Sequence, residues 1–144
     1  MTDTLNATLS GRNIVLPPNG YAAFGKGLFE FSGIVNGRKI DYIESPEYFY
    51  ADGRGHTLNT TNIALTNSAV VLREKGSVWI IPIDETEKIS FRLSAMNLSE
   101  KVTVVGCDNN GNILDMPTRS TLSNGWLTVN CDNNIFKYQI KNQQ

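Results

Sequence analysis

The chain has 144 residues, which is enough to bury a substantial hydrophobic core in one domain. Its formal net charge is −1 and only 19% of its residues are charged, so it lacks the positive charge that attracts nucleic-acid phosphates. No stretch approaches the roughly 20 apolar residues of a membrane-spanning helix. These features predict neither nucleic-acid binding nor membrane insertion.

Short alternating or apolar runs, separated by Gly, Asn, Asp and Pro, indicate β-strands throughout the chain. In chain order the predicted strands are 14–16, 20–24, 28–35, 38–44, 48–51, 63–66, 69–74, 77–83, 88–94, 101–107, 112–114, 126–131 and 135–141. Helical periodicity is almost absent. The sequence therefore predicts one all-β domain over residues 1–144, an antiparallel β-sandwich of immunoglobulin-like or jelly-roll-like type.

Turn residues between these runs predict antiparallel hairpins. Asn-Gly pairs at 36–37 and 110–111 tolerate the positive φ angles of tight two-residue turns. Lys75-Gly76 separates two further strands, and Asn124-Gly125 precedes the last strand pair. Segment 94–100 is predicted to be a loop that crosses between the two sheets.

The alternation within individual strands predicts which side chains face the core. Ile89, Phe91 and Leu93 share one face of their strand, and Phe136, Tyr138 and Ile140 share one face of theirs. Segment 77–83 is apolar on both faces, which is typical of a central strand, and its Trp79 is predicted to be a core residue. Pro82, which lacks a backbone donor, suits an edge or a bulge.

Candidate catalytic groups are few. His56 is the only histidine and follows two glycines in the segment 52–56, DGRGH, where Asp52 is expected to pair with Arg54 or to cap backbone donors. Glu44, Glu47 and Asp52 lie close in sequence beside several aromatic residues, and glycoside hydrolysis requires two carboxyl groups. Surface positions are the favoured interpretation for all four side chains, so no catalytic residue is predicted.

The remaining chemical candidates are two cysteines and one acidic turn. Cys107 and Cys131 are predicted to be two buried small side chains. A disulfide between them is the alternative if the protein is secreted. Segment 108–112, DNNGN, resembles the start of a calcium loop but lacks the closing glutamate, so a hairpin turn is favoured. No cofactor and no metal ligand is predicted, and a structural calcium elsewhere stays open.

Exposed aromatic residues are the main indication of function. Alternation in 126–131 places Trp126 opposite the apolar face, beside Thr128 and Asn130, where it could stack on a sugar ring. Tyr48 and Tyr50 form a second possible platform. The predicted ligand-binding residues are Trp126, Tyr48, Tyr50, Asp52, Arg54 and His56.

One phrase carries a resemblance. Residues 14–24, IVLPPNGYAAF, resemble a segment of the β-sandwich domains that follow the catalytic barrel in many glycoside hydrolases, and 69–83 with 88–93 look like the plain strands of such domains. The resemblance implies an accessory domain, without catalytic residues or a stated substrate. In that family the segment with the two prolines lies near the C-terminal end of the domain. The alternative interpretation is therefore that residues 1–25 are the closing strands of a preceding domain.

The leading hypothesis is a non-catalytic accessory or carbohydrate-binding module that contacts a glycan or a neighbouring catalytic domain. Two alternatives remain open. One is a small glycan-acting hydrolase or lyase that uses the Glu44/Glu47/Asp52/His56 region. The other is a structural or interaction subunit of a phage or cell-surface assembly. Residues 1–6 lack signal-peptide features, so the chain is either cytosolic or a domain excised from an exported protein, and extracellular in the second case.

Overall fold

The computed structural model describes residues 5–9, 12–16, 21–25, 28–35, 38–45, 47–55, 57–59, 62–74 and 76–143. The strands are β1 (Leu5–Leu9), β2 (Arg12–Leu16), β3 (Tyr21–Gly25), β4 (Leu28–Val35), β5 (Arg38–Glu44), β6 (Tyr48–Asp52), β7 (Leu58–Asn59), β8 (Ile63–Leu65), β9 (Ser68–Glu74), β10 (Ser77–Ile83), β11 (Lys88–Arg92), β12 (Val102–Cys107), β13 (Arg119–Ser123), β14 (Trp126–Asn130) and β15 (Lys137–Asn142). A 3-10 turn, Leu93–Met96, follows β11. Within these ranges, the structure has no helix long and apolar enough to cross a membrane.

The strands form two antiparallel sheets. Sheet A has the order β1-β2-β4-β5-β6-β9-β10-β15-β12, with β3 also paired to β4, and sheet B has the order β13-β14-β11-β8-β7. The predicted all-β antiparallel sandwich is confirmed. Strands β1–β3 extend sheet A through β4, and the alternative that residues 1–25 close a preceding domain stays a prediction.

The core lies between the sheets and draws alternate residues from each. Sheet A contributes Ile40, Tyr42, Phe49, Ala51, Ala69, Val71, Val78, Ile80, Tyr138 and Ile140, and sheet B contributes Ile63, Leu65, Ile89, Phe91, Leu127 and Val129. The inward positions predicted for Ile89, Phe91 and Leu93 are confirmed, since all three are buried. A buried residue on every second position is what two stacked sheets require.

Two of the predicted turns agree with their residues, whereas the two-residue turn predicted at 110–111 was wrong, because only Gly111 has a positive φ angle and its N–H donates to Asp108 O within a longer loop between Cys107 and Ile113. Ser123 pairs with Trp126 across Asn124 and Gly125, whose φ angles of 52° and 79° are the positive values of a tight hairpin. Glu74 likewise pairs with Ser77. Val35 pairs with Arg38, and the Asn-Gly pair at 36–37 between them lies outside the described residues.

Sheet changes occur where the sequence has loops. The predicted crossing at 94–100 is confirmed, because the chain leaves β11 in sheet B and enters β12 in sheet A through this segment. The opposite change, from β10 to β11, is held by Thr86. The Thr86 hydroxyl accepts the Ser68 N–H at 2.8 Å and lies 2.6 Å from Ser68 O and 2.5 Å from Ile83 O.

Two core predictions were wrong. Phe136 is 53% exposed, because β15 begins at Lys137, two residues after the predicted start at 135, and Ile135, whose N–H donates to Asp132 O, fills the core instead. Trp79 lies on the outer face of sheet A, beside buried Val78 and Ile80 rather than between them in the core. Strand β10 is central, as predicted, and its pairing with β15 stops at Ile80, so Pro82 interrupts no bond to that neighbour.

Candidate functional site

The outer face of sheet B carries the predicted aromatic platform. Trp126 lies opposite buried Leu127 and Val129 and shares its face with Thr128 and Asn130, as the alternation predicted. Strand pairing places Arg92 on one side of Trp126 and Ser123 on the other. Trp126 lies at the end of the face formed by β13, β14, β11 and β8, and its side chain is partly exposed.

Arg92 and the neighbouring hydroxyl groups complete this face. The Arg92 guanidinium lies 5.0 Å from the centre of the Trp126 ring, within cation–π range. In the next row Ser90 Oγ and Thr128 Oγ1 are hydrogen-bonded at 2.7 Å, and Thr121 lies beside Thr128. The row that holds the planar groups of Arg92 and Trp126 thus lies next to a row of hydroxyl groups.

The charged side chains of this face are all basic. Its outward positions on the four strands are Ala64, Lys88, Ser90, Arg92, Arg119, Thr121, Ser123, Trp126, Thr128 and Asn130. Three of these ten positions hold cations and none is acidic. Sequence reasoning found Trp126 and missed the three basic residues, because only strand pairing brings Lys88, Arg92 and Arg119 onto one surface.

Tyr50, Asp52 and Arg54 belong to the other sheet. Tyr50 and Asp52 lie on the outer face of β6, since their neighbours Phe49 and Ala51 are buried towards sheet B. Burial, followed by the nearby Asp52 carboxylate, raises the pKa of Tyr50. Tyr48 begins β6, and His56 lies outside the described residues. The structure therefore divides the predicted ligand-binding set between opposite faces of the sandwich.

The loop after β6 is held by specific contacts. Asp52 Oδ1 accepts the Arg54 N–H at 2.8 Å, which confirms the predicted capping by Asp52. The Arg54 side chain pairs with Asp41 instead, with Nη2 2.7 Å from Oδ2. Asn67 accepts the Gly53 and Gly55 N–H groups at 2.8 and 2.9 Å. Arg54 is thus tied to sheet A through Asp41.

Two of the three described carboxylates of the hydrolase alternative lie on opposite sides of sheet A. Glu44 pairs with inward-facing Phe49 and its Oε1 accepts the Asn62 amide at 2.6 Å, on the side of sheet A that faces sheet B. Asp52 lies on the opposite side of sheet A, and Glu47 is exposed in the connection between β5 and β6. This arrangement does not provide the paired carboxyl groups across a cleft that glycoside hydrolysis needs.

The acidic turn and the cysteines have local roles. Asp108 Oδ1 accepts the Asn110 and Asn112 N–H groups, both at 2.9 Å, and the hydrogen bond from the Asn112 backbone is the main cause of its lowered pKa. Cys107 and Cys131 are free thiols. Burial raises the pKa of Cys131 to about 12, so this thiol is a poor nucleophile.

A small pocket opens beside Cys131. It has a volume of about 100 Å³ and is lined by residues that include Thr118, Arg119, Asn130 and Asp132. Pockets that enclose small-molecule ligands are usually about 300–1,000 Å³. This pocket is therefore too small to enclose a sugar.

The outer face of sheet A is apolar, which the sequence analysis did not predict. Val70 and Leu72 of β9 and Trp79, Ile81 and Ile83 of β10 are all partly exposed there. The Lys137 ammonium lies 4.6 Å from the centre of the Trp79 ring. The sequence signal for this apolar face is the run of apolar residues in 77–83. The run by itself predicts only a central position in the sheet.

Comparisons with known proteins add nothing to this picture. No protein-family model, curated protein or solved structure matches the chain. The resemblance of residues 14–24 to glycoside-hydrolase accessory domains therefore stays a prediction, and residues 17–20 of that phrase lie outside the described residues.

Proposed function

We propose that the chain is a non-catalytic carbohydrate-binding or accessory module that binds glycan across the outer face of sheet B. The observation that carries the proposal is partly exposed Trp126, which lies beside Arg92 and one row from the hydroxyls of Ser90 and Thr128. A tryptophan face stacks on the C–H groups of a sugar ring, and neighbouring hydroxyls and amides bind its hydroxyl groups.

The basic side chains of this face favour an acidic glycan as the ligand. Arg92 and Lys88 lie on one strand, about 14 Å apart at the backbone, and Arg119 lies two strands from Lys88. Guanidinium groups bind carboxylates and sulfates through paired hydrogen bonds. A chain of uronic-acid or sulfated sugars that runs along β11 would meet both ends of this charged row.

The test is a titration of glycans followed by tryptophan fluorescence in a Trp79→Phe background, which leaves Trp126 as the only tryptophan. Trp126→Ala in the native background should abolish binding measured by affinity electrophoresis. The matched control is Tyr50→Ala on the opposite face, which should leave binding unchanged. Glycan binding that persists in Trp126→Ala, or no binding to any member of a broad glycan panel, would refute glycan binding on the outer face of sheet B.

The preference for acidic glycans has its own test. Polygalacturonate should bind more tightly than the same polymer with its carboxylates methyl-esterified, and its affinity should fall with added salt. Lys88→Gln and Arg119→Gln should each weaken polygalacturonate binding by up to about fivefold, as exposed charge pairs do. Equal binding of both polymers would refute the charge preference and leave glycan binding intact.

A second candidate function is a structural or interaction subunit, and the apolar outer face of sheet A favours it. Contiguous apolar patches on soluble proteins mark sites of association. In this function the exposed apolar residues of β9 and β10 would be covered by a partner, whether a neighbouring domain or another chain.

A further inference from the structure

We propose that the outer face of sheet A is the interface of a face-to-face dimer of this chain. The proposal rests on the second candidate function and names its partner as a second copy. It is independent of glycan binding, which involves the opposite face of the sandwich.

The composition is that of a covered sheet. In an antiparallel sheet with one face in water, outward positions are mainly polar. Strands β9 and β10 instead carry Val70, Leu72, Trp79, Ile81 and Ile83 outward, in addition to the buried residues on their inner faces. Strands that are apolar on both faces are typical of sheets covered on both sides.

The face continues on both sides of β9 and β10. Tyr50 lies beside Val70 in the pairing of β6 with β9, and Ile43 lies beside Tyr50 in the pairing of β5 with β6. On the other side, Gln139 lies between Trp79 and Val105. All of these side chains are partly exposed, so the apolar centre spans the sheet from β5 to β12.

Charges are segregated around this centre. Asp41 and Asp52 lie outward on the neighbouring strands β5 and β6, and Glu74 lies outward at the end of β9. Lys137 and Lys141 lie outward on β15, at the opposite side of the patch. Lys137 and Lys141 thus lie two strands from Glu74 and three to four strands from Asp52 and Asp41, and Arg54, which pairs with Asp41, adds one positive charge on the acidic side.

This separation fits a two-fold partner. A two-fold axis in the plane of the interface, parallel to β9 and β10, places β5 and β6 of one copy over β15 and β12 of the other. Asp41 and Asp52 then face the side of the partner that carries Lys137, and Glu74 lies within about one strand spacing of the partner copy's Lys141. Stacked sheets commonly pack in this aligned manner.

The area is sufficient for a dimer that depends on concentration. Six strands of five to seven residues, spaced about 4.8 Å apart at about 3.4 Å per residue, cover roughly 600 Å² per copy. The pair would bury roughly 1,200 Å², at the lower end of the range for specific protein interfaces. The dimer should therefore dissociate on dilution.

The first experiment measures the molar mass of the full chain by sedimentation equilibrium over a dilution series. We expect a mass approaching twice 15.9 kDa at high concentration, falling towards 15.9 kDa on dilution. Val70→Glu, at the centre of the face, should be monomeric at every concentration. The matched control is Thr128→Glu on the outer face of sheet B, which should dimerise like the unmodified chain.

Charge reversal keeps the proposal testable if Val70→Glu does not fold. Glu74 and Lys141 are both exposed, so changing them leaves the core intact. Glu74→Lys and Lys141→Glu should each raise the dimer Kd by about five- to thirtyfold, because each contact occurs twice in a two-fold dimer. The double variant should return the Kd towards its original value. Additive effects of the two changes would refute the two-fold arrangement.

A chain that is monomeric at all concentrations would overturn the proposal. Binding of a fluorescent apolar dye then tests whether the second candidate function is refuted as well. If the monomeric chain binds the dye and Val70→Glu abolishes that binding, the apolar face is available to a different partner. Only the dimer proposal is then refuted. A monomer that binds no dye would refute the second candidate function as well.

Discussion

Replacing Gly106 by alanine tests how closely β12 packs against the core. A Cβ at this position would lie 2.8 Å from Ile135 Cδ1, 3.1 Å from Cγ2 and 3.2 Å from Cγ1, well inside the roughly 3.5–4.0 Å optimum for carbon contacts. Ile135 is 5% exposed and belongs to the core, so it has little room to move away. Overpacking of this kind costs about 1–3 kcal/mol.

Part of that cost is offset, because alanine also reduces the entropy of the unfolded chain by about 0.4–1 kcal/mol. We therefore expect Gly106→Ala to lower the free energy of unfolding by about 1–2 kcal/mol, which corresponds to roughly 3–6 °C in Tm for a chain of this size. Urea denaturation followed by tryptophan fluorescence measures the change.

A double-mutant cycle identifies the contact responsible. Ile135→Val removes Cδ1, the atom closest to the new methyl group, and costs about 0.5–1.5 kcal/mol alone. Gly106→Ala combined with Ile135→Val should cost about 1 kcal/mol less than the sum of the two single changes. Additivity within about 0.5 kcal/mol, or no loss of stability in Gly106→Ala alone, would refute the reasoning.

Three further outcomes are expected. Thr86→Val leaves the buried Ser68 N–H without its acceptor and should cost about 1–3 kcal/mol in urea denaturation, whereas Thr103→Val at an exposed position should change stability by less than about 0.5 kcal/mol. The lowered folded pKa of Asp108 stabilises the fold above its ordinary pKa of 3.8, and this contribution is lost as the pH falls through the lowered value. Acid unfolding of Asp108→Asn should therefore be less steep below pH 3.8, and an unchanged slope would contradict this. The raised pKa of Cys131, about 12, favours the fold below the ordinary value of 9.0 and ceases to do so as the pH rises towards 12, so a Cys131→Ser chain should lose less stability over that interval.

Local chemistry explains which strands were predictable. The bounds of β4, β5 and β10 agree with the sequence prediction, because turn residues mark the ends of each run. Strand β13, with sequence RSTLS, was missed because all five of its residues are exposed and no apolar alternation marks it. Strand β1 was missed as well.

The candidate site was predictable only in part. Alternation around Leu127 and Val129 was enough to place Trp126 outward, because its strand is apolar on one face. It could not place Trp79, whose strand is apolar on both faces. The separation of Trp126 from Tyr50 depends on which sheet β14 and β6 join, and that is decided by pairing between residues distant in sequence.

The position of β15 has a consequence for folding. This strand lies between β10 and β12 in sheet A, although it follows both in the chain. Val78 pairs with Ile140, a separation of 62 positions that the unfolded chain must close before β10 gains this partner. During synthesis, the edge of β10 that β15 covers stays open, and β12, which joins the described part of sheet A only through β15, stays unpaired to it until residues 137–142 have left the ribosome. A nascent chain stalled before that point exposes the edge of β10 together with the unattached β12 segment, which makes it a target for chaperones and for aggregation.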